Sequence, residues 1–102
     1  GADVEAVNSD GKTALMFAAM NGHTATVTAL AGTHGANVDA VDRDGRTALM
    51  RAANNGHTDT VNALAGTHRA NVDAVDNLGR TALMLAAEIR HTATVNALKG
   101  FT

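Results

Sequence analysis

Gly11-Lys12-Thr13-Ala14-Leu15-Met16 returns as Gly45-Arg46-Thr47-Ala48-Leu49-Met50 and again as Gly79-Arg80-Thr81-Ala82-Leu83-Met84, each time 34 residues further on. Self-similarity at such a period marks a stacked-repeat architecture. Working outward, the 102 residues divide without gaps into 1–34, 35–68 and 69–102. The first and second units share 25 of 34 residues, the second and third share 23, and 18 columns are identical in all three. Even Gly1-Ala2, which would otherwise read as a cloning remnant, matches Gly35-Ala36. Residues 1–102 therefore form one domain of three copies of a single supersecondary unit.

The local signals repeat with the unit. Asp42-Arg43-Asp44-Gly45 reads as a turn. Thr47 follows as a helix N-cap, its hydroxyl able to accept a bond from a free backbone N–H. Ala48–Asn55 gives two turns of helix with Leu49, Ala52 and Ala53 on one side. Gly56 suits the left-handed position that ends a helix. Thr58 is expected to cap a second helix carrying Val61, Leu64 and Ala65, which Gly66 would end. Asn71-Val72-Asp73-Ala74-Val75-Asp76 alternates, as a short extended arm does. Helices of about eight residues are marginal alone in water. Each unit must therefore find its missing burial on its neighbour.

Composition agrees. Apolar residues make up 45% of the chain, but 22 of them are alanine, so the core is thin and close-packed. Alanines at 18, 19, 52, 53, 86 and 87 are what close helix approach needs. Cysteine is absent, which removes disulfides, thiolate catalysis and cysteine-based zinc sites. The net charge of -2 draws neither nucleic acid nor an anionic membrane. No apolar run approaches the roughly 20 residues of a spanning helix.

The pattern G-x-T-A-L-M-x-A-A-x-x-G-H, followed by V-x-x-L, resembles the ankyrin repeat, whose signature is T-P-L-H-x-A. The resemblance covers the whole chain. It implies an all-α solenoid of helix-turn-helix units with short turn or hairpin-like arms. It also implies a protein-binding module that uses its turn tips and first helices, the concave face. Three departures stand out. Ala14, Ala48 and Ala82 replace the family's proline, and Met16, Met50 and Met84 replace its histidine. The period exceeds the commoner 33 by one residue. That extra residue falls in Ala31-Gly32-Thr33-His34-Gly35-Ala36, where the second helix should end early or bulge.

Candidate chemistry is sparse. His23, His57 and His91 share one column, and His34 and His68 another. Stacked helices lie roughly 8–10 Å apart, too far for same-column histidines to share a zinc at about 2.0–2.1 Å. The resemblance gives the Gly-His histidine a structural role, hydrogen bonding between units. Asp39, Asp42 and Asp44 only faintly echo a calcium loop, with the wrong spacing and no closing glutamate. Ser9 is the sole serine, and no nucleophile, base and orienting partner occur together. The expectation is no enzyme, no cofactor and no metal.

Lys12, Arg46 and Arg80 form a basic column beside Asp10, Asp42, Asp44 and Asp76. Local ion pairing is the expected use of that column, and recognition of an acidic segment the functional alternative. Only three columns differ in all units: Ser9/Arg43/Asn77, Phe17/Arg51/Leu85 and Met20/Asn54/Glu88. Apolar anchors beside arginine and amides have the composition of an interaction patch. The expected partner contacts are therefore Arg43, Arg46, Arg51, Asn54, Asn55, Leu78, Leu85 and Ile89, with the Arg51 charge reaching solvent or a partner. The rival function is a spacer within a longer array, or an engineered scaffold without its own partner. In the third unit Arg90 stands where Gly22 and Gly56 stand, so that turn should be strained or reshaped. The outer units keep apolar columns, so end-to-end stacking of copies is a further expectation. Zinc is expected to leave the melting temperature unchanged, and a stoichiometric rise would make the histidines ligands.

Overall fold

The computed structural model describes residues 3–102, so Gly1 and Ala2 lie outside the described residues. Six helices follow in pairs: α1 (Ala14–Met20) with α2 (Thr24–Thr28), α3 (Ala48–Asn54) with α4 (Thr58–Asn62), and α5 (Ala82–Glu88) with α6 (Thr92–Lys99). No strand occurs among the described residues. First helices pack on first helices, α1 on α3 on α5, and second helices lie behind them. The stack measures 39 × 26 × 20 Å.

The first helices start as the threonines dictate. Thr13, Thr47 and Thr81 are extended, and each Oγ1 accepts from the amide three residues on, at 3.3, 3.2 and 3.3 Å. In the first unit the Thr13 amide donates back to the Met16 sulfur at 3.5 Å. Methionine there completes a reciprocal cap that the consensus residue is not needed for. The faces that meet are small and apolar. Ala19, Ala52, Ala53 and Ala86 are fully buried beside Leu15, Leu49, Leu64, Leu85 and Leu98.

The second helices begin otherwise than the sequence suggests. His57, not Thr58, is the N-cap, and no side chain caps it. The Thr58 hydroxyl bonds sideways to Thr94 Oγ1 at 2.8 Å, and Thr24 Oγ1 bonds to Thr60 Oγ1 at 2.9 Å. These hydroxyls tie units together instead of ending helices.

The additional residue of the 34-residue period is absorbed in a π-helical turn. Ala29–Thr33 and Ala63–Thr67 wind wider than an α-helix, with His34 N donating to Ala29 O and His68 N to Ala63 O, both at 3.1 Å. A single inserted residue inside a helix produces this widening. Gly32 and Gly66 sit inside these turns without positive φ, so Gly66 does not end the helix. The left-handed exit comes later, at Gly35 with φ 62° and at Arg69 with φ 55°. The third unit has no such turn and runs as α-helix to Lys99.

The arms are turns rather than extended segments. The Asn37 and Asn71 carboxamides each accept from the amide two residues on, at 3.0 Å. A local side-chain acceptor of this kind competes with ladder pairing. One backbone bond joins each pair of neighbouring tips, Arg43 N to Asp10 O at 3.1 Å and Asn77 N to Asp44 O at 3.0 Å, and Asn77 Nδ2 adds a bond to Arg43 O at 2.8 Å. The turn between α5 and α6 is strained but not reshaped. Arg90 takes φ 62°, and His91 N still donates to Ala86 O at 3.0 Å, as His57 N does to Ala52 O.

Two substitutions separate these glycine roles. Arg69→Gly should raise stability by about 0.5–1 kcal/mol by removing left-handed strain. Gly66→Ala should also raise it, by about 0.4–1 kcal/mol, since the new Cβ meets only the Phe101 ring at 3.5 Å. Urea unfolding of each variant checks both. A loss of stability in Gly66→Ala would return that residue to the role of helix terminator.

Candidate interaction surface

Turn tips and first helices carry every column that varies between all units, so the surface is built from them. Each turn is organised by one side chain in the column Asn8, Asp42, Asp76. Its Oδ1 accepts two backbone bonds, from Asp44 N and Arg46 N onto Asp42 at 2.9 and 3.1 Å, and from Leu78 N and Arg80 N onto Asp76 at 2.9 Å each. The other oxygen faces cations. Lys12 Nζ lies 3.4 Å from Asp42 Oδ2, and Arg46 Nε lies 3.3 Å from Asp76 Oδ2, each reaching across a unit boundary. Arg51 holds Asp42 through Nε and Nη2 and Asp44 through Nη2, and Arg80 holds Asp76 at 3.2 Å and Glu88 at 3.3 Å.

The basic column is therefore a neutralised ladder. Local pairing, the expected use of these cations, accounts for Lys12, Arg46 and Arg80. Arg51 departs from its expectation: its side chain is only 12% exposed, and its charge faces Asp42 and Asp44 rather than solvent. A guanidinium matches a carboxylate in two-point geometry, which is why it turns inward here.

These contacts act on the carboxylates. Burial pushes Asp42 up, but Arg51 hydrogen bonding, the amides of Arg46 and Asp44, and the Arg51 charge outweigh it and hold the carboxyl below its usual range. Burial likewise pushes Asp76 up. The amides of Arg80 and Leu78, with the Arg46 and Arg80 guanidiniums, bring it down to about 2.

The eight expected contacts separate by exposure. Arg43, Asn55, Leu78 and Ile89 are exposed, while Arg46, Arg51 and Asn54 are half-buried. Leu85 is 1% exposed and belongs to the core. Asn55 Nδ2 donates to Met20 O at 2.9 Å, so part of its amide faces the preceding unit. Among the described residues, Arg43 makes no ion pair. A groove of about 360 Å³ between the second and third tips is lined by Asp44, Arg46, Asp76, Asn77, Leu78 and Arg80.

Comparing the three units alone misses one feature. Val7, Val41 and Val75 are all more than half exposed. Because this column does not vary, it reads as scaffold. The alternation in Val38-Asp39-Ala40-Val41 holds the usable signal, since Val38 and Ala40 pack against the core and Val41 faces out.

Of the histidines in the Gly-His column, His57 makes the inter-unit hydrogen bond that the resemblance implies, and His91 lies with its ring against Gly56. His57 Nε2 donates to Met20 O, 2.8 Å away in the preceding unit, and its ring lies over Gly22. Among the described residues, no three His, Cys, Asp or Glu side chains are grouped to hold a metal ion. Among the described residues, no helix is long and apolar enough to cross a membrane.

Stacked helix pairs joined across unit boundaries, with an arm between pairs, define a helical-repeat protein. The family model for ankyrin repeats in three copies matches residues 1–76 and again 33–101. The chain belongs to the ankyrin-repeat family. Members of this family are generally protein–protein interaction modules and typically not enzymes. No curated protein matches the chain.

Linkage fixes the acid behaviour of the ladder. Both carboxyls titrate below the unfolded value of 3.8, so their contribution is fully present above roughly pH 4 and is lost as pH falls toward about 2. Asp76→Asn keeps the two backbone acceptors, as Asn8 does in the first unit, and removes the charge. It should lower stability at pH 7 by about 1–3 kcal/mol and flatten the loss between roughly pH 4 and 2. Urea unfolding across that range is the measurement.

Proposed function

We propose that the chain binds a protein partner through the face made by its turn tips and first helices. The observation that carries this is the row of exposed valines, Val7, Val41 and Val75, one per unit. Leu78, 77% exposed at a tip, adds to it. Apolar side chains presented at regular intervals on a rigid stack suit an extended or helical segment with apolar residues of its own. Arg43, Asn55 and Ile89 would sit at the margin of such a contact, and the groove beside Leu78 would take one partner side chain. Arg46 and Arg51 would shape the surface rather than touch the partner, because both are held by aspartates. An acidic segment would meet Arg43 as the one unpaired cation among the expected contacts. Apolar contact is therefore the main source of affinity in this reading, with charge at the rim.

The spacer or scaffold role remains the rival, and the high identity among the units favours it. A single comparison separates the two. Val41→Asp and Leu78→Asp place charges on exposed positions and should leave the melting temperature unchanged. Both should release whatever the parent captures, while Thr26→Asp on the second-helix side should not. Capture that survives both changes would refute this face, and a parent that captures nothing would favour the spacer.

A further inference from the structure

Both junctions in the stack share four links that run in the same direction. The earlier unit offers acceptors. Glu5 Oε2 takes Asn37 N at 2.9 Å, and Asp39 Oδ1 takes Asn71 N at 2.9 Å. Asp10 O and Asp44 O take the amides of the next tip. Threonine meets threonine across both junctions, and the Lys12 or Arg46 cation meets the aspartate that follows. The outer face of the third unit repeats the offering half: Asp73, the Leu78 carbonyl, Thr92 and Arg80. It also leaves Met84 half exposed, where Met50 in the middle unit is 1% exposed. The outer face of the first unit repeats the receiving half, with Thr26 in the column of Thr60 and Thr94. The two faces belong to one interface type, and the occupant that fits both is a second copy of this chain, head to tail.

Two positions break the match. At the internal junctions the left-handed position must be glycine for two separate reasons. Its φ is positive, 70° at Gly22 and 71° at Gly56. A Cβ there would also lie 2.7 Å from the next unit's imidazole, His57 Nδ1 over Gly22 and His91 Nδ1 over Gly56. Arg90 holds the third such position in the same geometry, with Thr92 N to Arg90 O at 3.0 Å matching Thr58 N to Gly56 O at 3.1 Å. Its Cβ occupies the space that an incoming His23 ring would need. At the tip, Arg80 would meet Asn8, the one neutral member of the column Asn8, Asp42, Asp76. We propose that, against the end-to-end stacking expected from the apolar columns, Arg90 and Asn8 close this stack to a second copy of the chain. Arg90 obstructs the incoming histidine, and Asn8 withholds the carboxylate that an incoming cation pairs with at each internal junction. A head-to-tail contact does not close on itself, so these two residues stand between a monomer and an open filament.

The test is sedimentation equilibrium of the parent, Arg90→Ala, Arg90→Gly, and Arg90→Gly combined with Asn8→Asp, each across a concentration series. All should fold, because Arg90→Gly relieves a positive φ and Asn8→Asp reproduces the turn chemistry of Asp42. The parent and Arg90→Ala, which keeps its Cβ, should remain monomers. Arg90→Gly should associate, and the double variant should do so at least about tenfold more tightly. A parent that self-associates, or a double variant that stays monomeric up to about millimolar concentration, would overturn the proposal. Association of Arg90→Ala equal to that of Arg90→Gly would overturn the steric role of the Cβ.

Discussion

Close approach between first helices is the constraint on which this molecule depends. Helices of five to eight residues cannot hold themselves in water, so each must lie against its counterpart in the next unit. Alanine at 18, 19, 52, 53 and 86 lets the backbones come together, and buried leucine and methionine fill the flanks. Larger residues in those columns would separate the helices and leave voids on either side. The alanine-rich composition is thus a geometric requirement of stacking rather than a poor core.

Once the helices lie that close, the polar links between units follow. A tight stack brings a buried carboxylate within reach of its neighbour's cation, and a histidine ring over its neighbour's glycine. Asp76 shows the benefit. Its carboxylate is buried yet ionised, because two amides and two guanidiniums answer it. A buried charge without such partners would cost several kcal/mol. Asp42 is answered in the same way by Lys12 and Arg51. The ladder therefore depends on each unit arriving in register, and it penalises slippage by leaving a charge unpaired.

Much of this is legible from periodicity. The repeated Gly-x-Thr-Ala-Leu-Met sets the helix starts, and the left-handed glycines of the interhelix turns are readable from their place before histidine. Local readings fail where a tertiary partner takes over a side chain. Thr58 looks like a cap by sequence, but its hydroxyl has a threonine across the junction to bond. Gly66 looks like a terminator, but the inserted residue widens the helix through it and moves the exit to Arg69. Arg51 looks free because its partners lie seven and nine residues upstream on the turn, outside any helical spacing. The valine row escapes notice for a different reason. Invariance among units reads as packing, and a surface that repeats for recognition is invariant too.

The same fact bears on how such a surface divides its labour. Four of the eight lysines and arginines, Lys12, Arg46, Arg51 and Arg80, are committed to ion pairs at the turns, and Lys12 and Arg46 span unit boundaries, so the cations of this face are largely neutralised. The outward surface carries a regularly spaced apolar row, Val7, Val41 and Val75, with Arg43, at one tip, a cation without an ion pair among the described residues. Such a surface gains affinity from burial and register rather than from steering, and its selectivity follows from spacing along the stack. Spacing is fixed by the helix approach that alanine permits. On the proposed reading, a substitution deep in the alanine columns would therefore change recognition without touching a residue of the proposed contact.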